Sequence, residues 1–130
     1  MSDDEDKDVK VCKIVLVGES GVGKTSIASR FDKDIFDDST TSTPVASFIS
    51  KTLKLENDKC IRFEIWDTCG QEKYRSLGKI YYKGISAAIL VYDITDKKSF
   101  EELDNFWIGQ LKEYAPKTTS KFFAFIFVIL

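Results

Sequence analysis

The chain has 130 residues, 43% apolar and 31% charged, with a formal net charge of −2. That length holds one domain with a real core, and an acidic balance without a basic stripe gives no electrostatic footprint for nucleic acid. Histidine is absent, Cys12, Cys60 and Cys69 have no metal-like spacing, and no apolar run approaches the ~20 residues of a membrane span, so a soluble cytoplasmic chain with reduced thiols is expected.

Residues 1–9 are dominated by Asp, Glu and Lys and are expected to form a disordered acidic tail ahead of a domain over residues 10–130. The unbroken apolar run Ile14–Val17 predicts a strand buried on both faces. It leads into Gly18-x-x-x-x-Gly23-Lys24-Thr25, the phosphate-loop pattern. A helix follows to about Asp32, with Ile27, Ala28 and Phe31 on one side. Strand, glycine-rich loop and helix start make an anion site, because inward N–H groups and the helix amino end both favour negative charge. Ser20, Gly21, Val22, Gly23, Lys24, Thr25 and Ser26 are therefore the candidate nucleotide-binding run. Within it Lys24 would meet the β- and γ-phosphates, and the Thr25 hydroxyl would bind a magnesium ion. Read by itself, the same glycine-rich stretch could be a turn with only a structural role.

Residues 33–47 are polar, hold Pro44 and lack either periodicity, which predicts a long loop of the kind that is usually functional. Alternation over Ile49–Leu55 and Ile61–Ile65, with Asn57-Asp58 between, predicts an antiparallel hairpin. Residues 67–78 break pattern again around Gly70. A helical stretch to about Tyr82 then precedes Ala87–Tyr92, another buried strand. Ser99-x-x-Glu102 has the form of a capping box opening a helix whose Phe100, Leu103, Trp107, Leu111 and Tyr114 are expected to be core. That helix ends before Pro116. The whole reads as an α/β fold, an open, mostly parallel sheet with helices on both faces and ligands at the carboxyl ends of its strands.

A second group of residues, Asp67-Thr68-Cys69-Gly70-Gln71, follows the strand Arg62–Trp66. A carboxylate at such a strand end can hold magnesium near Thr25, and Gly70 can bring its N–H close to a γ-phosphate. Gln71 carries both a donor and an acceptor, which suits it to orient a water in line with phosphorus.

In Phe63–Glu72, Tyr74–Leu77, Tyr81–Gly84 and Leu90–Thr95 the chain resembles the small GTPases of the Ras superfamily. Within them it is most similar to the Rab family of membrane-traffic switches, on the endosomal branch, over about residues 10–116. The resemblance implies a P-loop NTPase fold, GTP and GDP as ligands with Mg2+, and slow hydrolysis of GTP. It implies that Gln71 and Lys24 are catalytic and that Thr25, Thr43 and Asp67 serve the metal. Phe36 falls where the family stacks a ring on guanine. Residues 34–48 and 67–82 would be the two switches that meet effectors, exchange factors (GEFs) and activating proteins (GAPs). An ATP-using kinase is disfavoured by the glutamine in the second of these segments.

Three departures stand out. Val45 replaces a family glycine, and Cys69 replaces an alanine. After Ala115 the family continues with a strand and Asn-Lys-x-Asp, which reads guanine, whereas this sequence has no such tetrad and runs from Lys121 into nine apolar residues. The last strand and helix and the prenylated cysteines that attach family members to endomembranes are likewise not found, so a C-terminally truncated domain without a membrane anchor is expected. Residues 122–130 could supply a fifth strand. The alternative to a working switch is therefore a nucleotide-compromised binding module that keeps the switch surfaces, with weak, base-indifferent binding through phosphates.

Overall fold

A computed structural model describes residues 9–19, 21–33, 47–67 and 78–126. The apolar run at the start becomes β1 (Val9–Val17), and the hairpin becomes β2 (Ser47–Lys54) and β3 (Cys60–Asp67). Ala87–Asp93 forms β4 and Ser120–Ile126 forms β5. These five strands make one sheet in the order β2-β3-β1-β4-β5, with β2 antiparallel to β3 and every other pairing parallel. Val9 pairs with Cys60, so the first strand takes in the last residue assigned to the acidic tail. β5 opens two residues earlier than the apolar run suggests, with Ser120 opposite Ala87.

Why Ile14–Val17 is apolar without alternation is now clear: each face of the sheet is covered. Leu16 and Ile65 pack with Ala28 of α1 (Lys24–Lys33), and Ile14, Ile49, Ile89 and Phe31 border them. On the other face Val15, Val17, Ala88 and Leu90 pack with Tyr81, Tyr82, Leu103, Trp107 and Leu111. Each Val, Leu or Ile among them taken fully out of water contributes about 1.5–3 kcal/mol. Since α1 has only 10 residues, it does not reach the hairpin end, and Leu53 and Leu55 stay partly exposed there. Lys51, on the same face of β2 as Leu53, donates from Nζ to Phe31 O at 2.7 Å and closes the end of α1. The hairpin turn uses Asn57 (φ 67°) and Asp58 (φ 59°), two successive left-handed residues of a type that tolerates that conformation.

The second face carries α2 (Gly78–Tyr82) and a longer rod made of α3 (Lys97–Glu102), a π-helical turn (Leu103–Trp107) and α4 (Ile108–Tyr114). The rod starts earlier than the capping-box pattern at Ser99 indicates. Its cap is Asp96, whose carboxylate accepts from Lys98 N–H at 3.1 Å. Ser99 is buried in the first turn, where Oγ donates to Asp96 O at 2.7 Å and accepts from Asp93 N–H at 3.0 Å. An aspartate three residues upstream is as good a cap as serine, and this register lets Ser99 stitch the rod to the end of β4. In the π turn Ile108 N–H reaches back to Leu103 O. In a regular α-helix, residues four apart drift by about 40° around the axis. The wider turn offsets that drift and keeps Leu103, Trp107 and Leu111 together in the core. The rod stops at Ala115, extended at ψ 151°, before Pro116. Among the described residues no helix is long and apolar enough to cross a membrane.

Candidate phosphate-binding site

The carboxyl ends of β1, β3 and β4 lie side by side, because Leu16 is in register with both Asp67 and Ile89. The chain leaves β1 through Gly18, whose φ is +147°. A Cβ there would sit 2.2 Å from Val91 O on β4, so the loop can pass this close to the sheet only as glycine. The loop turns through Gly21 and Gly23, and Gly23 O accepts from Ile27 N–H at 3.0 Å to start α1. The amino end of α1, with its partial positive charge, thus faces the loop.

Lys24 is 3% exposed. Its ammonium donates to Gly18 O and, at 3.4 Å, to Glu19 O. A buried ammonium needs such acceptors, and they hold the charge inside the loop where an anion would enter. One residue on, Thr25 Oγ1 donates to Asp67 Oδ2 at 2.6 Å. Asp67 is fully buried at the end of β3. A hydroxyl and a carboxylate brought together beside an anion cradle are hard oxygen donors. Magnesium suits so small a set, since it is commonly held by one or two carboxylates, waters and substrate phosphates.

Tyr81 ties α2 to this edge. Its hydroxyl hydrogen is shared between Trp66 O at 2.7 Å and Leu16 O at 2.9 Å, the carbonyls just before Asp67 and Val17. Lys13 Nζ donates to Lys83 O at 2.9 Å just past the end of α2. Burial pulls the Lys13 pKa below the ordinary lysine value, against the opposing pull of Glu64. On the outer side of the same edge the Phe48 ring meets Trp66 at 5.0 Å, with Phe48 half exposed and Ile80 71% exposed.

Of the residues singled out by sequence, Gly21, Val22, Gly23, Lys24, Thr25 and Ser26 lie together in the loop and first helical turn, and Asp67 joins them through Thr25. Ser20, Phe36, Thr43, Gly70 and Gln71 lie outside the described residues, as do 34–46 and 68–77 of the two switch segments. Three participants carry no motif signal. Glu19 accepts from Trp107 Nε1–H at 3.1 Å, and Tyr81 bonds the strand ends. The helical spacing of Trp107 marks it as core, which it is, but says nothing of its contact with the loop.

Comparison with known proteins places this geometry in context. The Ras family profile matches residues 13–126. GTP-binding protein ypt5 of Schizosaccharomyces pombe is 47% identical over 105 residues, covering 81% of this chain and 49% of that protein. Human Ras-related protein Rab-22A is 46% identical over 110 residues, 85% of this chain and 54% of its own length. Ras-related protein Rab-11B of Dictyostelium discoideum is 46% identical over 105 residues, 81% and 47% respectively. The chain spans about half the length of these curated relatives.

Proposed function

The chain belongs to the Ras family, and on that premise we propose that it acts as a guanine-nucleotide switch of the Rab kind in vesicle and endosomal membrane traffic. The observation that carries this is the buried Lys24 ammonium beside the Thr25–Asp67 oxygen pair, at the amino end of α1. Anion and divalent cation are thereby served at one sheet edge, which is what a magnesium–nucleoside triphosphate requires.

In this reading the loop amides of residues 20–26 cradle the phosphates, and Lys24 exchanges its carbonyl partners for phosphate oxygens. Thr25, Thr43 and Asp67 would hold magnesium, which when bound neutralises charge on the phosphate oxygens. Phe36 stacks on the base, and the Gly70 N–H meets the terminal phosphate. Gln71 orients the attacking water, and hydrolysis is slow until a partner supplies further charge. Effectors, exchange factors and activating proteins bind across residues 34–48 and 67–82. The exposed Phe48 and Ile80 at the described ends of those segments support such contacts, since aromatic and aliphatic anchors dominate interfaces.

Thr25→Asn tests the metal role. It removes the hydroxyl that now meets Asp67, and is expected to weaken magnesium–GTP binding by about tenfold or more, the scale of a bond to a charged group. GDP binding should fall much less. Equal losses for the two nucleotides, with and without magnesium, would contradict the assignment.

A further inference from the structure

The phosphate loop contains a carboxylate, and a carboxylate in an anion site is a competitor for the same cation. Glu19 directly follows Gly18, and its own carbonyl oxygen lies 3.4 Å from the Lys24 ammonium. A side chain starting that close to Nζ has the reach to pair with it, which would occupy the charge that phosphate needs. The carboxylate is instead bonded to the indole of Trp107. Trp107 Nε1–H donates to Glu19 Oε1 at 3.1 Å, and the face of the same indole lies 5.6 Å from Lys24 Nζ. The indole thus holds the carboxylate with its edge and borders the ammonium with its face. Trp107 is fully buried, and the π-helical turn Leu103–Trp107 delivers it to the loop. Wide turns of this kind occur often at functional sites.

Resting on the phosphate-site reading above, we propose that Trp107 is a positioning residue for that site: it holds the Glu19 carboxylate so that this carboxylate does not compete with nucleotide phosphates for the Lys24 ammonium. Core packing by Trp107 would exist whatever residue stood at position 19, whereas the positioning role depends on the negative charge there.

The test is a double-mutant cycle of Trp107→Phe and Glu19→Gln, read by titration with magnesium–GTP. Trp107→Phe is expected to lower affinity by about tenfold, a coupling of ordinary size between contacting groups. In the Glu19→Gln background the same substitution should cost less than about twofold, because the freed side chain is neutral. Since Trp107→Phe alters a buried ring, a second measurement uses the natural fluorophore. The sequence has two tryptophans, so Trp66→Phe leaves Trp107 as the reporter. Its emission should shift when magnesium–GTP binds, and shift less with Glu19→Gln. Equal affinity losses in both backgrounds, or an emission change indifferent to Glu19, would overturn the proposal while leaving the phosphate site standing. Absence of any nucleotide binding by the unmodified chain would overturn both.

Discussion

Gly18→Ala is expected to destabilise the fold by about 3 kcal/mol or more, the range of an overpacked, strained backbone position. The added methyl would stand 2.2 Å from Val91 O and 3.2 Å from Val91 C. Both are backbone atoms of β4, an interior strand paired on both sides, which cannot give way as a flexible side chain can. The residue also holds φ at +147°, a conformation that side chains rarely adopt. Relief requires the loop to lift away from β4, moving Lys24's carbonyl partner with it. Gly21→Ala is the control, with φ +82° but nothing within 4 Å of an added Cβ, and should cost only about 1 kcal/mol. Denaturant unfolding of the two variants measures the difference. Similar small losses for both would mean that the contact with Val91 does not constrain the loop.

Lys24→Ala is expected to reduce magnesium–GTP affinity by about a hundredfold or more. A charge-assisted bond contributes about 1.5–3 kcal/mol, and Lys24 would make more than one, with tenfold in affinity for each 1.4 kcal/mol. Lys24 is 3% exposed, and removing its ammonium leaves the Gly18 and Glu19 carbonyl oxygens facing the loop, so the change also replaces a positive surface by a negative one. Equilibrium titration gives the ratio directly. Affinity retained within a few-fold would exclude Lys24 from phosphate binding.

Much of this was legible in the sequence because it is local. The Ile14–Val17 run, the glycine spacing of the loop, the hairpin at Asn57-Asp58 and the stop before Pro116 each rest on residues within a few positions of one another, and each is found. The phosphate-loop motif also marks Lys24 and Thr25, the segment 67–71 marks Asp67, and the register of Leu16 with Asp67 brings the last of these to the others. What escaped is long-range. Trp107 and Glu19 are 88 residues apart, and Tyr81 lies 65 residues from Leu16, so no periodicity relates them. Core and site functions coincide in Trp107, and helical spacing reports only the first. The rod's start differs from the sequence expectation for another reason: Asp96 and Ser99 are both good caps, and the choice between them depends on how β4 feeds the helix.

On the proposed function, the loop at the end of β1 and the Thr25–Asp67 pair form one site for a magnesium–nucleoside triphosphate. Calorimetric titration of the purified, nucleotide-stripped chain with GTP, once with magnesium and once with a chelator, tests it most directly. A single saturable site that weakens about tenfold or more on chelation is the predicted result. No saturable binding in either condition, or binding that ignores the chelator, would contradict it.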